Sequence, residues 1–338
     1  MGTSDVTSIN VDGHEIRVSN PSKVFFPQRG ETKMDLIEYY LSVEPALLNA
    51  LQGRPTMLER YPDGASGKSF FQKRVPASAP EWLEQTTVAT VNGTTSNAMV
   101  IANMAHVVWA VNMGCLGFHT WPYLAAEPNF ADELRIDLDP MPGVTFDQVR
   151  DVAALVRLYL GEHGIACYIK TSGSKGLHIY ARLEPRWDSY QVRACAVATA
   201  RELERRSPDL VTAAWWKEER GTSVFIDYNQ NAPHKTVFAA WCARARVGGQ
   251  VSAPFAWSDL DSLDPAELTI ATVPGVVAEY GDAWADINAA PQSLLSLLDQ
   301  VAIDEAAGLM DAPWPPVYPK MPNEPPRVAP SRARKEAI

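Results

Sequence analysis

Residues 134–140 read LRIDLDP. In an extended strand successive side chains point to opposite faces, so Asp137 and Asp139 share one face while Ile136 and Leu138 share the other. A strand that buries its apolar face then holds two like charges side by side on its back, which is costly unless a cation lies between them. Two readings are open: an edge strand whose acids are merely hydrated, or a strand that presents a divalent metal site.

The run downstream sets the topology. Thr145 and Gln148 fit a capping box, and Val149, Val152, Val156, Tyr159 and Leu160 recur at helical spacing until Gly161 and Gly164. A strand at 167–171, the Gly-rich turn SGSKG at 172–176 and a strand at 177–183 make a hairpin. Asp188 and Gln191 cap a second helix through Val192, Cys195, Ala196 and Leu203 to near Pro208, and SVFIDY at 223–228 reads as a last strand. The order β-α-β-β-α-β is the split βαβ, or ferredoxin-like, unit. Right-handed crossovers leave room for one strand inside each parallel pair, which gives the sheet order fourth, first, third, second. Asp227 then lies on one side of the acidic strand and His178 on the other.

Upstream, the pattern predicts a helix over 34–51 and a strand over 86–91. Residues 98–118 carry no charge apart from His106 and would be long enough to span a bilayer. Asn103, His106, Asn112 and the breakers Gly114 and Gly117 instead favour a buried helix running into a strand, with no membrane involvement. The expected organisation is one α+β domain over 1–310. It comprises an N-terminal α/β region at 1–130, a catalytic core at 131–250 and an acidic segment at 251–310. Residues 311–338 hold eight prolines, end in SRARKEAI, and read as an extended linker or tail that does not pack.

Composition bounds the partners. The 46% hydrophobic content and ten Trp imply a substantial core, and four scattered Cys without a CxxC pair, behind an N-terminus lacking a signal-peptide pattern, make a reducing cytoplasm the expectation. A net charge of −10 argues against nucleic acid only if it is spread evenly. It is not: residues 251–310 carry ten acids and no Lys or Arg, so the rest of the chain is balanced and can form a positive groove.

Three acids, Asp137, Asp139 and Asp227, suit two divalent cations of the hard class, Mg²⁺ or Mn²⁺, as in phosphoryl or nucleotidyl transfer. The neighbouring SGSKGLH, 172–178, offers a hydroxyl, an ammonium, backbone N–H groups and an imidazole, a set able to hold a triphosphate. It fits neither a P-loop nor a Rossmann fingerprint.

LRIDLDP, TSGSKGLH and VFIDYNQN, in this order and spacing, closely resemble the polymerase domain of bacterial ligase D, in the archaeo-eukaryotic primase superfamily. The resemblance runs over about 16–299 and takes in SNPSKVFFP, GRPTMLERYP and SFFQKR. It implies a primase-polymerase fold and a template-directed nucleotidyltransferase of non-homologous end joining or gap repair, using two metals, manganese preferred, and commonly favouring ribonucleotides. By motif match Asp137, Asp139 and Asp227 are the catalytic metal ligands. Ser172, Lys175 and His178, with Gln230 and Arg244, would hold the incoming NTP or dNTP, and His119 would approach its sugar. Lys23 and Lys33 would take a recessed 5′-phosphate, Phe70 and Phe71 would stack on the bent template, and Arg220 would help hold the DNA end. DNA ends or gapped duplexes are the implied substrates, with Ku and a separate ligase as implied partners. The loop AWWKEERGT and Tyr168-Ile169-Lys170 depart from the family pattern, which leaves primer and template handling open.

Two other classes compete. A Mn²⁺-dependent glycosyltransferase would explain Asp137 and Asp139 but leaves Asp227, Lys23 and Lys33 without a task. A non-catalytic ferredoxin-like nucleic-acid binder would present aromatic and basic groups on its sheet, where this chain presents acids.

Overall fold

The computed structural model describes residues 5–246 and 248–327. Its central sheet is built from the strands Ala131–Pro140, Tyr168–Thr171, Leu177–Trp187 and Val224–Ile226, with helices Phe146–Glu162 and Ser189–Arg206 as the two crossovers. Both capping boxes anticipated from sequence are present, Thr145 with Gln148 and Asp188 with Gln191. Strand order runs Val224–Ile226, Ala131–Pro140, Leu177–Trp187, Tyr168–Thr171, which is fourth, first, third, second. Val211–Thr212 extends one edge and Pro254–Phe255 the other.

Each face of this sheet has a different chemistry, and the alternation of side chains explains it. Leu134, Ile136, Leu138, Leu177, Ile179 and Ala181 pack with Val149, Val152, Val156, Val192 and Ala196 of the two helices. Glu133, Arg135, Asp137, His178, Tyr180 and Arg182 occupy the opposite face, and all are buried. A bulge between Ala131 and Glu133 lets the consecutive acids Asp132 and Glu133 reach the same arginines. Arg54 holds Asp132 through two bonds of 2.8 and 2.6 Å, while Glu133 takes Arg135 at 2.6 Å and Arg182 at 2.8 Å.

The polar face is roofed by a second sheet of the N-terminal region, ordered Val237–Phe238, Cys115–Thr120, Pro55–Arg60, Thr95–Val100, Gln85–Ala89, with Phe70–Gln72 also on Pro55–Arg60. The expected single helix over 34–51 is two helices, Lys33–Ser42 and Glu44–Leu51. Pro45 explains the break, because it fits a first turn but cannot continue a hydrogen-bonded ladder. Residues 98–118 hold the end of a strand, the helix Met104–Asn112 and most of the strand Cys115–Thr120. Among the described residues no helix is long and apolar enough to cross a membrane.

Two sequence-derived boundaries need correction. The chain does not leave the catalytic core at residue 250: Val237–Phe238 already joins the N-terminal sheet, and Pro254–Phe255 returns to the core sheet. Nor is the start of the Pro-rich tail unpacked. Residues 311–327 lack helix and strand, but Trp314 and Tyr318 are buried with Ala232, because aromatic rings and backbone carbonyls can pack in an extended chain without a ladder. The basic stretch 331–338 lies outside the described residues.

Candidate active site

Asp137 and Asp139 sit two apart on the acidic strand, and Asp227 directly follows Val224–Ile226 and donates its N–H to the Asp137 carbonyl at 2.9 Å. One oxygen from each of the three carboxylates lies within 4.8 Å of the others. Asp137 is buried, Asp227 half-buried and Asp139 exposed. Burial, then Asp139 and Asp227, hold the Asp137 carboxyl well above the usual carboxylate range. Burial also raises Asp139, against the pull of Arg220, Lys217 and Arg244, and raises Asp227, against Lys235. Three oxygens that resist sharing one patch as anions match what a hard divalent cation requires, so the donor set fits Mg²⁺ or Mn²⁺.

Asp227 is fixed by the turn it caps. Its Oδ1 accepts the Asn229 N–H at 3.1 Å and its Oδ2 accepts Gln230 Nε2–H at 2.8 Å. Asn231 stitches the same turn to the acidic strand, accepting the Arg135 N–H at 2.8 Å and donating to the Arg135 carbonyl at 2.7 Å.

Register places Asp137 opposite His178, and His178 opposite Lys170. The three make one row across three strands, with His178 Nε2 3.2 Å from Asp137 Oδ1 and His178 Nδ1 3.0 Å from Lys170 Nζ. Burial, reinforced by Lys170, pushes the imidazole well below its ordinary pKa, so it is neutral. The ammonium form of Lys170 has only donors, so opposite it Nδ1 accepts, and the Nε2–H is left beside Asp137 without a hydrogen bond to it. Lys170 is wholly buried, with further bonds to Ser252 Oγ at 2.6 Å and the Phe238 carbonyl at 3.1 Å. Burial, with Arg244 nearby, lowers its pKa to about 7. Sequence reasoning missed this residue, although its signal was present: the SGSKG hairpin sets the register that aligns Lys170 with His178.

The SGSKG turn lies beside the triad because glycine permits it. Gly173 has φ +69°, and a Cβ at Gly176 would stand 2.3 Å from the Leu138 carbonyl oxygen, so only glycine lets the turn rest on the acidic strand. Ser172 is buried, its Oγ accepting the Gly176 N–H at 3.1 Å and the Ser174 N–H at 3.2 Å. It shapes the turn. Lys175 is exposed, and Arg244 donates to the Ser172 carbonyl at 2.9 Å while its guanidinium lies 3.6 Å from the Phe238 ring centre. These groups, with His119, Gln230 and Arg246, line a cavity of about 340 Å³ over the carboxylates.

On the opposing sheet His119 Nε2 lies 3.1 Å from Glu59 Oε2, and Tyr61 donates to Glu59 Oε1 at 2.7 Å. Burial raises the Glu59 pKa, but these two hydrogen bonds outweigh it and bring it below its ordinary value. Phe70 and Phe71 are 46% and 56% exposed, so the pair is not part of the core; the Phe71 ring meets His119 edge-on at 5.2 Å.

Lys23 and Lys33 lie apart, while Arg220 stands against Phe225, the cross-strand partner of Asp139. Lys33 donates its backbone N–H to the Lys23 carbonyl at 2.8 Å, and its buried ammonium donates to the Ser19 and Asn112 carbonyls. Burial and then Lys23 lower the Lys33 pKa to about 8. Arg220 does not reach out to solvent: it is buried, donates to the Ala214 and Trp215 carbonyls at 3.0 and 2.8 Å, and stacks on Phe225.

The family model of the LigD primase-polymerase domain matches residues 32–284. The chain belongs to this family. LigD of Mycolicibacterium smegmatis, a multifunctional non-homologous end joining protein, is 34% identical over 276 residues, which is 81% of this chain and 36% of the relative. LigD of Mycobacterium tuberculosis is 35% identical over 81% of this chain and 37% of its own length, and that of Bacillus subtilis 30% over 85% and 47%. The chain thus spans between about a third and a half of the curated relatives it matches. The solved polymerase domain of Mycobacterium tuberculosis ligase D in complex with DNA superposes with a TM-score of 0.76 at 34% identity, over 82% of this chain and 99% of that one. Within the LigD match fall all three carboxylates, Lys170 and the SGSKG turn; residues beyond 284 lie outside it.

Proposed function

We propose that this chain is a DNA-directed nucleotidyltransferase that adds nucleotides, ribonucleotides by preference, to primer 3′ ends at breaks or short gaps during end joining. The observation that carries this reading is the convergence of Asp137, Asp139 and Asp227 beside a basic, amide-rich turn in a LigD primase-polymerase domain. Family membership and the third carboxylate weigh against the nucleotide-sugar alternative.

The three carboxylates would hold two Mn²⁺ or Mg²⁺ ions, which when bound supply charge for the attacking and leaving oxygens. Lys170 sets the His178 tautomer, Nδ1 toward Lys170 and Nε2–H beside Asp137. Lys175, Arg244 and the N–H groups of Gly173 and Lys175, which the turn's own bonds leave over, receive the triphosphate, with the Ser172 hydroxyl proton free to join them. With Nδ1 turned to Lys170, His178 keeps its Nε2–H for the incoming phosphates. His119, held by Glu59, faces the sugar, Phe70 and Phe71 offer rings to the template, and Lys23 with Lys33 receives a downstream 5′-phosphate. Arg220 supports the DNA end by shaping the loop before Asp227. Ku and a separate ligase are the partners such an activity calls for.

Primer extension on blunt, 3′-overhang and 5′-phosphorylated gapped duplexes tests this with Mn²⁺ and Mg²⁺ and both nucleotide sugars. The double change Asp137→Ala, Asp139→Ala is expected to abolish nucleotide addition while DNA binding stays near that of the parent. Incorporation by the double variant would overturn the reading.

A further inference from the structure

Beyond residue 284 the chain leaves the stretch that matches the family, yet residues 311–327 come back to the active site from behind. They do so through Arg193, a residue of the Ser189–Arg206 helix that is 1% exposed. Its Nε donates to Asn229 Oδ1 at 2.7 Å, its Nη1 to Asp311 Oδ1 at 2.8 Å, and its Nη2 to the Ala312 and Pro313 carbonyls at 2.8 and 3.3 Å. The guanidinium lies 3.9 Å from the Trp314 ring centre. Asn229 in turn donates to the Pro313 carbonyl at 3.0 Å, and the Tyr318 hydroxyl donates to the Pro233 carbonyl. The strap closes on itself where Glu324 accepts the Trp314 N–H at 3.1 Å and the Met321 N–H at 2.9 Å, and where Arg327 pairs with Glu324.

Asn229, Ala232 and Pro233, which the strap touches, belong to or directly follow the turn that presents Asp227 and Gln230. We infer that the Arg193 side chain and the strap 311–327 position the Asp227–Gln230 turn, so that in this chain the third metal-ligating carboxylate is set by a segment outside the family-matched domain. A buried guanidinium is expensive to desolvate, and an apolar residue at this helix position would pack against the same aromatic rings without that cost. Its donors are spent on the turn and on the strap that braces it. Groups that orient a metal ligand in this way commonly govern affinity for the ion by ten- to a hundredfold.

The inference rests on Asp227 being a metal ligand, and the test separates the two claims. Mn²⁺ binding to the 338-residue chain is measured by electron paramagnetic resonance of the free ion for the parent, Asp227→Ala, Arg193→Met and Tyr318→Phe, with circular dichroism to establish folding. The parent should bind, Asp227→Ala should lose affinity, and Arg193→Met should bind about tenfold more weakly, with Tyr318→Phe shifted in the same direction by a smaller factor. If Arg193→Met does not fold, Tyr318→Phe decides. Parent-like affinity in the folded strap variants, alongside a loss in Asp227→Ala, overturns the strap's role and leaves the metal reading standing. Failure of the parent to bind, or parent-like binding by Asp227→Ala, overturns the metal reading and the inference with it.

Discussion

Lys170 has no exposed surface, yet its ammonium meets a neutral imidazole and two oxygen acceptors with no carboxylate in direct contact. An amine buried in this way, its pKa lowered to about 7, is poor evidence for stability and good evidence for a task. Lys170→Met keeps the volume and removes the donor, leaving His178 free to change tautomer. The thermal midpoint should be unchanged or raised, while single-nucleotide incorporation falls about ten- to hundredfold. A variant that loses stability and keeps its rate would contradict this assignment. The site was partly legible at this scale: the acids and SGSKG are short-range patterns. Glu59 and Tyr61, which hold His119, were not, because their roles depend on pairing between strands some 60 residues apart.

The turn and the strand it rests on act as one element. Gly176 brings the SGSKG turn onto the Leu138 carbonyl, so Gly176→Ala must lift it by displacing backbone, not a flexible side chain. Displacements of this size are costly for positioned groups, so KM for the nucleotide should rise on the order of tenfold or more while DNA affinity stays near that of the parent. Unchanged nucleotide kinetics would mean that the turn does not hold the triphosphate. A second element, the corner formed by Lys23 and Lys33, predicts a pH dependence. Lys33 is charged below its lowered pKa of about 8 and loses the charge above it, so preference for a 5′-phosphate over a 5′-hydroxyl gap should fall as pH rises. Bound phosphate favours the charged amine, so the fall lies at or above that value. A preference that is flat between roughly pH 7 and 9.5 would remove Lys33 from the contact.

Across the whole molecule, a buried charge network helps to join the two sheets, beside apolar contacts that include Tyr180. Burial alone would raise the Glu133 pKa, but Arg54, Arg135 and Arg182 outweigh it and bring it down to about 2. A depressed carboxylate stabilises the fold above its unfolded value, about 4.3, and that stabilisation is lost as pH falls toward the folded value. Glu133→Gln leaves three arginines short of an anion and should cost about 3–5 kcal/mol at neutral pH. In denaturant titrations at decreasing pH, the gap between parent and variant should close below about pH 4. Parallel curves would show that Glu133 is not held as an anion. Arg54 and Arg182 gave no sequence signal for this network, since neither stands near Glu133 in the chain.

The β-α-β-β-α-β order, the sheet order and the meeting of Asp137, Asp139 and Asp227 were determined by the sequence alone. Alternation, capping boxes and glycine turns are local rules, and the handedness of crossovers converts them into strand neighbours. Tertiary structure alone decided what stands behind two of the functional groups: Glu59 behind His119, and Arg193 with the strap 311–327 behind Asp227. Those contacts join segments separated by tens to more than a hundred residues, and the Pro-rich strap follows no periodicity. Its placement depends on buried rings and single hydrogen bonds, which leave no pattern in a sequence read by itself.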